Sequence, residues 1–144
     1  MRTIDQDQPS QPEAQGWKVR TLSGFIQTAG PLWTRREGDA WAYGLLAGTQ
    51  HLNPVGVVHG GTLLTLLDHT ISAVAWEASG RASCVTVQLD THFIGAVRQG
   101  QFAEARAEVS RRTRSLIFMR GSLVVAQDLV LSAQAILKVV AIGS

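Results

Sequence analysis

Residues 61–78 read GTLLTLLDHTISAVAWEA, a run without proline in which Leu63, Leu64, Leu67, Ile71, Val74 and Ala75 fall along one broad face at helical spacing. Leu66 and Trp76 lie off that stripe, so the pattern predicts a helix largely enclosed by other structure, ended by Ser79-Gly80. Upstream, Val19, Leu22, Ile26 and Ala29 recur at intervals of three and four and predict a short amphipathic helix that Gly30-Pro31 stops. Residues 40–46 instead alternate Trp41, Tyr43 and Leu45 with Ala42, Gly44 and Leu46, the period of a strand. After Arg81 the period stays near two. Val85, Val87, Leu89, Thr91 and Phe93 alternate with Thr86, Gln88, Asp90 and His92 until Gly95 closes the run. Residues 101–110 alternate Ala103, Ala105, Ala107 and Val109 with longer side chains, and residues 115–125 and 129–140 are apolar and β-rich. Five strands and two helices are expected. They suit an α+β fold in which one antiparallel sheet curls around one buried helix.

Composition narrows this without redirecting it. A chain of 144 residues fits one domain. Residues 1–16 are rich in Gln, Asp, Pro and Ser and carry little that could be buried, so they are expected to form a loose tail, with the domain over residues 17–144. The hydrophobic share of 45 % and charged share of 17 % are ordinary, and no apolar run approaches the ~20 residues of a membrane span. Neither a basic start nor an apolar stretch of the signal-peptide kind is present, so a cytoplasmic location is expected, with no membrane partner. The single cysteine, Cys84, reads as a small buried hydrophobe. A net charge of +2, concentrated only around residues 111–114, is too little to argue for nucleic acid. His51, His59, His69 and His92 lack metal-ligand spacing, so no metal site and no cofactor are expected.

The chemistry gathers around Asn53, His59-Gly60-Gly61 and Asp68. Glycines opening a helix let a ligand approach N–H groups that have no intrahelical partner and lie at the positive end of the helix dipole. Such a helix start can hold the oxyanion of an attacked carbonyl, or the glycines can simply allow close packing. Asp68 sits midway along an apolar helix, where a carboxylate is costly unless paired, solvated or functional. Eight residues separate it from Gly60, about 12 Å along the axis at 1.5 Å per residue. One carbonyl carbon cannot meet both groups of one chain. A shared site therefore needs two copies, with Asn53 and Gly60 from one and Asp68 from the other. Ser72 follows Asp68 by four residues, but no G-x-S-x-G elbow accompanies it, so a serine triad is rejected.

The pattern Asn53…His59-Gly60-Gly61…Asp68, continuing as Leu-Leu-Asp-His-Thr-Ile-Ser, resembles the hot-dog fold acyl-CoA thioesterases of the phenylacetic acid degradation type over roughly residues 41–140. The resemblance implies a curved antiparallel sheet wrapped around a long helix, sheets paired edge to edge in a homodimer, often a dimer of dimers, and metal-free hydrolysis of an acyl-CoA. It makes Asp68 the catalytic carboxylate, as base or nucleophile, and Gly60 the carbonyl-binding N–H. Gly61 is a further substrate contact, and Asn53 helps to place water or carbonyl. Thr86 falls where a hydroxyl sits near that water. His59 either bonds the thioester or fixes the helix start. Arg112 and Arg114, in the basic run 110–115, either meet CoA phosphates or form a solvated hairpin tip. Leu63, Leu64, Trp76 and Phe93 suggest an apolar acyl pocket. A hydroxyacyl-thioester dehydratase of the same fold, using His59 with Asp68, and a non-catalytic acyl-CoA binder stand as alternatives.

Overall fold

The computed structural model describes residues 11–140. Seven antiparallel strands form one sheet: β1 (Lys18–Arg20), β2 (Leu32–Glu37), β3 (Ala40–Leu46), β4 (Cys84–Phe93), β5 (Phe102–Arg112), β6 (Leu116–Val125) and β7 (Asp128–Val139). Their spatial order is β1-β2-β3-β5-β6-β7-β4. Helix α1 spans Phe25–Ala29 and α2 spans Gly60–Ala78. The connection β3–α2–β4 crosses from the middle of the sheet to its far edge, and α2 lies in the hollow of the sheet on the way. Leu63, Leu66, Leu67, Ile71 and Ala75 of α2 are buried against Leu45, Ala105, Ile117, Met119, Leu131 and Leu137 of the sheet. Close approach at the centre requires Gly121, where a Cβ would lie 3.0 Å from the side chains of Ile71 and Leu67. No helix among the described residues is long and apolar enough to cross a membrane.

The amphipathic helix expected from Val19 to Ala29 is not one helix. Lys18–Arg20 pairs with β2, Gly24 turns the chain at φ 74°, and only Phe25–Ala29 is helical. Trp17 explains the difference, because its ring is buried on the outer face of the sheet with Trp33, Ala42 and Phe102, which holds the following residues against β2. Val19 and Leu22, counted as the apolar stripe, are exposed. Strand β2 escapes the period-two test because both of its faces are covered at the start: Leu32 joins the core under α2 and Trp33 the outer cluster. Part of the expected loose tail, residues 11–16, lies among the described residues. Pro12–Gln15 form a 3-10 turn with Pro12 buried, and residues 1–10 and 141–144 lie outside the described ones. Leu66, placed off the helical stripe, is buried, whereas Trp76 remains 41 % exposed.

Strand β4 departs from simple alternation. Thr86 is opposite Leu137 and Gln88 opposite Ile136, so Val87 is an extra residue, a β-bulge. The bulge shifts the phase by one. Cys84 and Thr86 before it, and Leu89 and Phe93 after it, all turn towards α2 and the core, whereas Val85 and Val87 are exposed. The outer edge of β4 pairs with no other strand among the described residues.

Candidate active site

Asp68 projects from the flank of α2 towards β4, where the Thr86 hydroxyl donates to its Oδ1 at 2.9 Å. The bulge makes this contact, since an unbroken alternation from Leu89 and Phe93 would send Thr86 to the opposite face. The carboxylate is half-buried, and its other oxygen has no protein partner among the described residues. Next to it, burial holds the His69 imidazole below the usual histidine range, partly opposed by the Asp68 charge, so His69 is neutral near pH 7. Its ring packs edge-on to Tyr43 at 5.6 Å.

The start of α2 is built by the loop before it. Asn53 Oδ1 accepts the N–H groups of Val55 at 3.0 Å and Val57 at 3.2 Å, and the Asn53 N–H donates to the Val57 carbonyl at 2.7 Å. That turn spends the side-chain oxygen and leaves the amide NH2 without a protein partner among the described residues. His59 caps the helix: its Nδ1 accepts the Gly61 N–H at 2.8 Å. This bond takes up the Gly61 N–H, the single donor of that residue. Gly60 N–H takes no partner among the described residues and is the one open donor of the two glycines. A Cβ at Gly60 would lie 3.1 Å from the Phe93 ring, so that ring stands beside the open N–H.

Asp68 and Gly60 of one chain thus face different neighbours, Thr86 and Phe93, which lie opposite β7 residues six apart, roughly 20 Å along a strand. The structure joins Asp68 with Thr86, and His59 with Gly60 and Gly61, as two separate groups. Arg112 lies apart from both. Its Nη1 donates to the Ala78 carbonyl at 2.7 Å and so caps the far end of α2, while Arg114 is exposed in the β5–β6 turn. Within one chain the residues suggested as an acyl pocket are not gathered in one place: Leu63 is core, and Trp76 is sixteen residues, about 24 Å, beyond Gly60. Among the described residues no group of three His, Cys, Asp or Glu side chains could hold a metal ion.

The profile of the Thioesterase superfamily matches residues 55–132, which include the helix start, Asp68 and Thr86. The chain belongs to the thioesterase superfamily. It is a thioester hydrolase with the hot-dog fold. PA0474 of Pseudomonas aeruginosa, which carries an esterase name, is 28 % identical over 116 residues, 79 % of this chain and 87 % of that one. A thioesterase of Ralstonia eutropha JMP134, a phenylacetic acid degradation-related protein, is 26 % identical with a TM-score of 0.64, covering 93 % of this chain and 94 % of its own. A Streptococcus pneumoniae thioesterase solved with coenzyme A has a TM-score of 0.68 at 20 % identity, covering 78 % of this chain and 91 % of its own.

Sequence reasoning passed over one residue of the thioesterase that the structure ties to the site. His51 is buried beneath the loop that carries Asn53, and every polar atom of its ring is bonded. A lone histidine without ligand spacing gives no signal in the sequence, because its partners are backbone groups up to 22 residues away.

Proposed function

We propose that this thioesterase hydrolyses acyl-CoA thioesters at a site shared by two copies of the chain. The observation that carries this reading is the hydrogen bond from Thr86 to Asp68, which fixes an acid beside the open edge of β4 and away from Gly60 of its own chain. Antiparallel pairing of β4 with β4 of a second copy, centred on Asp90, sets Thr86 of one opposite Phe93 of the other, because the bulge at Val87 takes up one residue of the count. Since Thr86 marks Asp68 and Phe93 marks Gly60, the same pairing brings the acid of one copy to the open N–H of the other. Exposed Val85, Val87, Phe93 and Ile94 along that edge suit burial against a second sheet. The resulting homodimer can pair again into a dimer of dimers.

In this arrangement the thioester carbonyl accepts the Gly60 N–H, and the Asn53 amide orients carbonyl or water. Asp68 takes a proton from water as it attacks the carbonyl carbon, or attacks the carbon itself to form an anhydride that water then cleaves. The oxyanion collapses, the C–S bond breaks, and CoA thiolate leaves with the free acid as the other product. The positive helix end stabilises the oxyanion. In this reading Arg114, with the remaining donors of Arg112, meets the CoA phosphates. CoA in the Streptococcus relative supports this choice of thiol. The dehydratase reading needs His59 as a proton carrier, but His59 Nδ1 is committed to Gly61.

The test is thiol release from short, long and aromatic acyl-CoAs by wild type and by Asp68→Asn. Loss of about 10³-fold or more in kcat with unchanged assembly is expected, by analogy with other lost catalytic groups. Undiminished turnover by the variant, or no turnover of any acyl-CoA by wild type, refutes the reading.

A further inference from the structure

We propose that His51 is a positioning residue that sets the direction of the Gly60 N–H and the Asn53 amide, a role that rests on the site proposed above. Its ring is 3 % exposed. Nδ1 accepts the Gly48 N–H at 2.9 Å, and Nε2 donates to the carbonyls of Ala29 at 2.8 Å and Gly30 at 3.0 Å. A nitrogen facing an N–H must accept and one facing two carbonyls must donate, so these bonds select the tautomer with its proton on Nε2.

The main chain of His51 continues the linkage. Its N–H donates to the Gly48 carbonyl at 3.1 Å, and its carbonyl accepts the His59 N–H at 2.8 Å. His59 is the residue immediately before Gly60, and Asn53 lies two residues after His51. One imidazole therefore pins the end of α1 to the loop 48–59, and the same residue holds the cap of α2. Without the ring, the Gly48 N–H and the Ala29 carbonyl, both part-buried, and the buried Gly30 carbonyl would lose these bonds, and the loop would have to move to satisfy them. Both substrate-facing groups ride on that loop. The catalytic consequence is large for a small displacement, because a shift of about 1 Å in a positioned group can cost about 10²-fold in rate. His51 is enclosed and acts through the loop, not on the substrate.

Three substitutions separate positioning from mere filling of space. His51→Phe keeps the ring volume and removes both nitrogens. His51→Asn can place its oxygen near the former Nδ1 and retain the Gly48 bond, and His51→Gln can place its NH2 near the former Nε2 and retain the bonds to Ala29 and Gly30. We expect kcat to fall about tenfold in the Asn and Gln variants and about 10²-fold in the Phe variant, with KM within about twofold. The amide resonances of Gly60 and Asn53 should move in all three. Wild-type kcat in both the Asn and Gln variants overturns the proposal, as does a loss confined to KM. Unmoved Gly60 and Asn53 resonances overturn it whatever the substrate proves to be. Should the Phe variant fail to fold, the Asn and Gln pair alone decides. Asp68→Asn run alongside distinguishes the two claims: activity retained there refutes the proposed function, while the Gly60 resonance still reports on His51.

Discussion

Gly60→Pro removes one hydrogen-bond donor and almost nothing else. Proline at the first position of a helix is well tolerated, because its missing N–H has no intrahelical partner there. The residue before a proline must be extended, and His59 already has φ −58° and ψ 131°. The new Cβ would come 3.1 Å from the Phe93 ring, which must give by a few tenths of an ångström. Gly60→Ala supplies the same Cβ and keeps the N–H, so the ratio of the two variants isolates the donor. The neighbouring Gly61 N–H is held by His59 and cannot stand in. Loss of one oxyanion donor costs about 2.7–4 kcal/mol, or ~10²–10³ in kcat, and the absence of a substitute points to the upper part of that range. Thiol release under saturating acyl-CoA measures kcat, and circular dichroism checks that α2 persists. The Ala variant should stay within about threefold of wild type, less than 0.7 kcal/mol. A Pro variant within tenfold of the Ala variant would refute the carbonyl-binding role of Gly60. Mixed dimers add a second check, because a Gly60→Pro chain paired with an Asp68→Asn chain contains one intact site and should regain activity that neither variant has alone.

Three further outcomes follow from the same geometry. Thr86→Val should lower kcat about 5–30-fold, the loss of a hydrogen bond to a carboxylate at a partly solvated place, and Thr86→Ser should restore most of it in the same thiol-release assay. Gly121→Val forces side-chain atoms into contact with Ile71 and Leu67, so it should destabilise the fold by about 1–3 kcal/mol and lower Tm by about 2–10 °C in a thermal melt. Glu37 is held by Arg106 at 2.7 Å, which lowers its pKa from 4.5 to about 2 against the opposing effect of burial. The ion pair therefore stabilises the fold above pH 4.5 and loses that effect as pH falls through about 2. Denaturant titrations should show Glu37→Gln less stable than wild type by about 1 kcal/mol at pH 6, allowing for solvent screening, with the difference vanishing near pH 2.

What the sequence made legible is the part of the fold in which one face is wet or one period is unbroken. Helix α2 and strands β3 and β5 follow from periodicity because each turns a distinct apolar face to the core, and β6 and β7 follow from their apolar, β-rich composition. Strand β2 was hidden because Leu32 and Trp33 are buried on opposite faces, and the Val19–Leu22 segment misled because its apolar residues are exposed in a short edge strand. At the site, Asp68 stood out as an acid in an apolar helix. The loss of the Gly61 donor did not, since it depends on which way the His59 ring turns. Nor did the pairing of Thr86 with Asp68 follow from alternation, which assigned Thr86 to the face opposite Leu89.

The extra residue at Val87 is slack in the count of β4. Removing it would make Thr86, opposite Leu137, and Gln88, opposite Ile136, neighbours in a regular strand, so Thr86 would stay on Asp68 while Leu89 and Phe93 stayed on the core and beside the Gly60 amide. Removing a second residue between Thr86 and Leu89 would turn one end of the strand over relative to the other. The irregularity thus acts as a spare link, and an engineered variant of this thioesterase can lose one residue there but not two.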